Sequence, residues 1–261
     1  MTQEYLVRHL VESFLDRLNR TEHRHGFVLK GGVLLAAYGV RRATRDADVN
    51  AIGADVTPEH LQRVVTDISN VPADDGVEFD LPSLRVQEIR EHAEYPGFRV
   101  RVRAAIGLWR GVSAWDVSTG DPIVPEPRMV TIGRILGEPL TLLGYAAETT
   151  IAEKAVTILE RGITSTRWRD YVDIVQLCSQ GFDPAELRRS AEAVARYRGV
   201  PLEPVGPHLE GYGAVGQAKW AAWRRKERLE SVSEASLDEQ VSRVASFIDP
   251  IFGASPGPSG T

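Results

Sequence analysis

Two aspartates at alternate positions, Asp46 and Asp48 in "TRDADV", follow soon after a lysine and two glycines, Lys30, Gly31 and Gly32, in "VLKGGVLL". Alternate residues of a strand share a face, so both carboxylates would point the same way. Hard cations such as magnesium take oxygen ligands and are commonly shared between one or two carboxylates and substrate phosphates. A glycine turn that opens a helix lets backbone N–H groups approach a phosphate and adds the positive helix end. These residue types suit divalent-metal and phosphate chemistry. The plain alternative is an exposed acidic strand edge, and Lys30 can equally contact phosphate or end a strand.

A second group lies more than a hundred residues later. "EKAVTILERGITSTRWRDYVDI" supplies Lys154, Arg167, Arg169, Asp170 and Asp173. Asp170 and Asp173 are three apart on a presumed helix and hence on one face, which suits either an ion-paired surface or part of an active site. Lysine occurs only at Lys30, Lys154, Lys219 and Lys226 among many arginines, so each lysine draws notice, the two cations differing in geometry and titration. "KWAAWRRKERLE" interleaves Trp220 and Trp223 with basic residues, as an RNA-binding face or as core tryptophans of an amphipathic helix. The six histidines form no HxxxH or HExxH pair, and there is no G-x-S-x-G element.

The elements that must position these groups follow from periodicity. Leu6, Val7, Leu10, Val11, Phe14, Leu15 and Leu18 space an amphipathic helix over residues 4–19. Phe27–Leu29 reads as a short buried strand that breaks at the glycines, with a helix over "GVLLAAYGV". "DADVNAIG" alternates as a strand, and Thr57-Pro58 starts a helix backed by Leu61, Val64, Val65 and Ile68. "GFRVRVRAAIG" and "GVSAWDVS" read as further strands. From about residue 142 the patterns are helical. The expected architecture is α/β (α+β): a mixed sheet with helices over 1–138, an all-helical part over 139–252, and a tail over 253–261. The Pro- and Gly-rich "GVPLEPVGPHLEGYG" reads as a long connection.

Bulk properties narrow the classes. The chain has 261 residues, 43% hydrophobic, enough for a sizeable core. Cys178 is the lone cysteine, so neither an intrachain disulfide nor a cysteine metal cluster is available, as suits a cytoplasmic protein. The charged N-terminus does not resemble a signal peptide, and no run reaches the roughly 18 to 20 apolar residues of a membrane span. With a net charge of −5, any polyanion must be met by a local basic face.

"LKGG" followed by "RATRDADV" resembles the opening motif of the nucleotidyltransferase fold of the AbiEii and MenT toxin families, and the Lys154–Asp173 segment resembles their later motif, in the same order. The resemblance spans about residues 25–178. It implies two magnesium ions, with manganese as a substitute, held by Asp46, Asp48 and a third acidic residue, for which Asp116 in "SAWDVSTGD" fits best and Asp121 less well. It implies catalytic roles for Asp46, Asp48, Lys154 and Asp170, with Asp173 the alternative to Asp170 as the functional aspartate. NTP binding would then involve Lys30, Gly31, Gly32, Thr44, Arg167, Arg169 and Asp173, with Lys154 a mobile point charge on the triphosphate. Thr44 occupies the place of a hydroxyl that an antitoxin phosphorylates in some relatives. The implied activity is transfer of a nucleotide from NTP to RNA, in particular the tRNA 3′ end, by a toxin with a cognate antitoxin. Arg41, Arg42 and Arg45, with Arg167 and Arg169, would meet RNA phosphates. Transfer to a small antibiotic-like molecule, or a non-catalytic nucleotide-binding module, are the alternatives.

Overall fold

The computed structural model describes residues 3–40, 44–53, 56–89 and 97–253. Arg41 and Arg42 therefore lie outside the described residues. In chain order the elements are helix α1 (Gln3–Asn19), strand β1 (Phe27–Lys30), the single turn α2 (Gly31–Leu34), β2 (Asp46–Ala51), α3 (Pro58–Asn70), β3 (Val77–Ile89), β4 (Gly97–Ile106), β5 (Trp109–Thr119), β6 (Arg128–Ile132) and β7 (Leu140–Gly144). Helices α4 (Ala147–Arg161), α5 (Trp168–Ser179), α6 (Pro184–Arg198), the short α7 (Val205–His208), α8 (Tyr212–Glu227) and α9 (Leu237–Phe252) follow.

All seven strands form one sheet in the order β3-β4-β5-β2-β1-β7-β6. The pairs β2–β5 and β1–β7 are parallel, and the others antiparallel. One face is apolar: Ala47, Val49, Phe98, Val100, Val102, Trp115 and Val117 are buried, as are Leu10, Val11, Phe14 and Leu15 of α1 and Leu61, Val64, Val65 and Ile68 of α3. Phe14 and Phe27 pack on the Trp115 ring at 5.4 and 4.7 Å between centroids. The Thr57 hydroxyl accepts from the His60 N–H at 3.1 Å with Pro58 in the first turn, so the capping signal in the sequence sets the start of α3.

The chain divides into two compact units: residues up to Asp121 with Pro127–Tyr145, and Pro122–Glu126 with the chain from Ala146 on. The sequence reading starts the helical part at 139, whereas Leu140–Gly144 pairs into the sheet and the division falls after Tyr145. Within the second unit, Ile151, Val156, Tyr171, Ile174, Leu187, Val194, Val244 and Ile248 build a helical core. The Asp183 carboxylate caps α6, accepting from the N–H groups of Ala185 and Glu186. Thr149 and Ser190 both donate to the Val124 carbonyl, tying Pro122–Glu126 to the helices. Among the described residues no helix is long and apolar enough to cross a membrane.

Several elements escape the sequence reading. β3 carries Pro82, and its pairing with β4 slips between Asp80 and Arg85, which is how a strand accommodates a residue that cannot donate to the ladder. β6 and β7 are five residues each, too short to show alternation clearly. "GVLLAAYGV" is not one regular helix: α2 passes into a 3₁₀ turn over Leu35–Tyr38, which ends at Gly39 with φ 72°. Inside "GVPLEPVGPHLEGYG" the chain makes the helical turn α7.

Candidate functional site

The polar face of the sheet places four charged residues side by side on four adjacent strands. Arg99 of β4 is registered opposite Asp116 of β5, Asp116 opposite Asp48 of β2, and Asp48 opposite Lys30 of β1. Asp46, two residues before Asp48, shares this face. Three carboxylates flanked by two cations thus come from segments up to 86 positions apart, Lys30 to Asp116, and the sheet register alone assembles them.

The partners show how the row is held. Arg99 grips Asp116 with two parallel bonds, Nε to Oδ1 at 2.8 Å and Nη2 to Oδ2 at 2.5 Å. Lys30 Nζ donates to Asp121 Oδ2 at 2.6 Å and lies 5.6 Å from the Tyr145 ring centroid. Asn50, fully buried on β2, donates to the Asp121 carbonyl at 2.9 Å and to the Tyr145 hydroxyl at 3.0 Å, fixing the loop that carries Asp121. Asp48 is left with the electrostatic burden. Burial, then the charges of Asp46 and Asp116, push its carboxyl up to about 6, against the opposing pull of Lys30 and the Gly32 N–H.

The glycine pair acquires a definite function here. The Gly32 N–H donates to the Asp48 carboxylate, and a Cβ on Gly31 would overlap that carboxylate, while the Gly31 φ of 65° favours glycine in any case. Sequence reading aims the turn at a phosphate, and the structure shows it also seating Asp48. Gly31→Ala is therefore expected to cost roughly 1–3 kcal/mol of stability through the forced φ and the displaced carboxylate. Thermal melting checks this, and an unchanged midpoint would contradict it.

Asp46, Asp48 and Asp116 are a mutually repelling set of oxygen donors on one face, with Asp48 pushed up by burial and by its neighbours, a chemistry that suits a divalent cation; in this structure Asp116 is paired with Arg99 and the three do not converge to within 4.8 Å of one another. Among the described residues the one group of three or more whose ligand atoms lie within 4.8 Å of one another is Glu22, His23 and Asp67, with His23 Nε2 at 2.8 Å from Asp67. Glu22 and Asp67 are exposed and His23 is half-buried.

In the second unit, Lys154 sits in the middle of α4, and its ammonium lies 2.6 Å from Asp170 and 2.8 Å from Asp173 of α5. Both carboxylates are buried. Arg167 adds a 2.7 Å bond to Asp170. Burial alone would raise the Asp170 carboxyl, but Lys154 and Arg167 together hold it below the usual range. Lys154 is thus an anchored ion between two helices, not the mobile point charge that the sequence suggests. Arg169 bonds Glu227 of α8 and does not join the cluster. Asp170 and Asp173 both bond Lys154, so each of the two aspartates belongs to the group.

Of the other sequence candidates, Thr44 lines a cavity of about 330 Å³ together with Gly32, Val33, Tyr5 and Arg8. Arg45 is exposed. Trp220 is fully buried, stacks on Trp223 at 5.3 Å and donates to the Glu234 carbonyl, so it is a core ring, while Trp223 is half-buried and packs on Trp168. Sequence reading missed Arg99 and Asn50. The signal for Arg99 was present in the apolar–arginine alternation of "GFRVRVR", which sets its arginines on the polar face.

The model of the family described as "Nucleotidyl transferase AbiEii toxin, Type IV TA system" matches residues 13–252. The chain belongs to the AbiEii nucleotidyltransferase toxin family. It resembles two solved structures from Helicobacter pylori. JHP933 is 15% identical, with a TM-score of 0.56 over 97% of this chain and 94% of its own. A protein described as a nucleotidyltransferase candidate is 13% identical, with a TM-score of 0.56 over 97% and 96%. At these identities the likeness shows a shared fold. No curated protein matches significantly. For this AbiEii family member, the mixed seven-stranded sheet is a nucleotidyltransferase-like fold, and the chain is a member of a toxin–antitoxin enzyme family.

Proposed function

We propose that this protein transfers a nucleotide from an NTP to an RNA acceptor, in particular the 3′ end of tRNA, as the toxin of a toxin–antitoxin pair. The observation that carries the reading is the row of Asp46, Asp48 and Asp116 on one sheet face beside the Gly31–Gly32 turn. Magnesium, or manganese in its place, would be held by these three carboxylates and would supply charge neutralisation at the triphosphate and acidification of the attacking hydroxyl. Nucleotidyl transfer asks little covalent chemistry of the protein, so positioning and electrostatics dominate.

The residues divide the work. Lys30, tied to Asp121, keeps a positive charge beside Asp48 and lowers the cost of gathering three carboxylates. Gly31 leaves room for Asp48, and Gly32 orients it. Arg99 neutralises Asp116 until a cation takes its place. In the second unit, Lys154, Asp170 and Asp173 hold Arg167 at the surface, where it can meet a phosphate. Family membership supports a cognate antitoxin as partner, with Thr44 the hydroxyl it would modify.

The reaction is tested by incubating the protein with each α-labelled NTP, total tRNA and magnesium, with and without prior periodate oxidation of the RNA 3′ ends. Label should enter intact tRNA with at least one NTP and fail to enter oxidised tRNA. Label in oxidised and intact tRNA alike would place the acceptor elsewhere. Label in no RNA would favour a small hydroxylated acceptor.

A further inference from the structure

We infer that the outer strands β3–β5 form the surface that holds the RNA acceptor, through arginines on the same sheet face as the carboxylates. The inference rests on the RNA reading above and locates its substrate. Residues Arg99, Arg101 and Arg103 alternate along β4 and hence share the face of Asp116. Register places Arg85 of β3 opposite Arg101, and Arg110 of β5 opposite Ala105, on that same face. Arg101 is in turn opposite Ala114, which is opposite Asp46, so it stands two strand widths, roughly 10 Å, from the carboxylates.

The arginines are poorly explained by stability. Like charges directly opposite each other on neighbouring strands destabilise a sheet, and Arg85 faces Arg101. Among the described residues Arg101 is exposed and its side chain makes no hydrogen bond or ion pair. Arg85 and Arg110 donate only to nearby backbone carbonyls: Pro82 and Leu84, and Gly107 and Trp109. Among the described residues of β3–β5, the acids on this face outside the carboxylate row are Glu78 and Asp80. Asp80 meets Arg103 at 3.0 Å in an exposed pair, which is worth little and yields readily to a phosphate. Neighbouring arginines along the strand are roughly 6.6–6.8 Å apart, a ladder of bidentate donors that an extended nucleotide backbone can follow. In a protein of net charge −5 this local basic face is what a polyanion needs.

The test uses the full chain with Arg85, Arg101 and Arg103 replaced by glutamine, none of which belongs to the carboxylate row. Binding of unmodified tRNA is measured by filter retention across a monovalent salt series, alongside binding of the NTP and a thermal melt. Three lost phosphate contacts should lower affinity by roughly 30- to 100-fold at 0.1 M salt and flatten the log–log salt slope by about 2 units. NTP binding and the melt should stay at wild-type values. If wild type binds tRNA and the triple variant binds it equally at every salt concentration, the RNA reading survives and this surface is overturned. If wild type binds no tRNA, the RNA reading fails and the inference falls with it. Should the triple variant melt early, Arg101→Glu alone decides: a loss of tenfold or more supports the surface, and wild-type binding overturns it.

Discussion

Asp48→Asn is expected to give a protein that is more stable than wild type in the presence of a chelator, yet transfers no nucleotide. The carboxyl of Asp48 is pushed up to about 6 by burial and by the charges of Asp46 and Asp116. A carboxyl raised above its unfolded value of 3.8 favours folding when protonated. That contribution is fully present below about pH 3.8 and is lost as pH rises through about 6. At neutral pH the ionised group costs on the order of 3 kcal/mol, from a shift of 3.8 to about 6. Asparagine abolishes the penalty and still offers an oxygen to the Gly32 N–H. The gap between variant and wild type should therefore be small near pH 4, open between pH 4 and 6, and stay constant above. Melting curves across that range check it, and a gap that does not vary with pH would contradict it. The same carboxylate is the proposed cation ligand, so activity should fall below detection in the variant, a trade of stability against function expected of strained sites.

The second large effect is opposite in sign. Lys154→Met should destabilise the second unit by roughly 3–5 kcal/mol, because Asp170 and Asp173 are left buried with their central counter-ion gone. Asp170 is held below the usual carboxylate range by Lys154 first and Arg167 second, so losing the lysine forfeits the larger share of that support. The triple variant Lys154→Met, Asp170→Asn, Asp173→Asn should recover much of the loss, since no buried charge remains to be compensated. Denaturant unfolding of the two proteins distinguishes an ion cluster that anchors α5 on α4 from a solvated surface lysine. Equal stability of wild type and Lys154→Met would assign Lys154 to the surface.

The legible part of the molecule was whatever local pattern dictates. Thr57-Pro58 announced α3, alternation announced β2, β4 and β5, and three-residue spacing put Asp170 and Asp173 on one helix face. The D-x-D strand after a glycine turn could be read because both its residue types and its period are local. What could not be read was set by register. Arg99 opposite Asp116, and Lys30 bonding Asp121, depend on pairings and contacts between segments far apart in sequence. The same holds for Lys154, whose partners lie on another helix and turn a presumed mobile cation into an anchored one. β3 was hidden by Pro82, and β6 and β7 by their brevity. The tryptophans of α8 show the limit of composition: basic residues around Trp220 and Trp223 suit RNA, but the rings are packed against Trp168 and the Glu234 carbonyl.

In the proposed reaction Asp46, Asp48 and Asp116 would together hold a divalent cation. Manganese titration followed by electron paramagnetic resonance, which reports free ion as it is taken up, measures this without any turnover. Wild type should bind manganese, and Asp46→Asn and Asp48→Asn should each weaken that binding at least about tenfold through lost ligand charge. Asp67→Asn, in the surface group of Glu22 and His23, serves as the control and should leave it unchanged. Manganese binding that is equal in wild type and in both strand variants, or that is lost only with Asp67, would contradict the account.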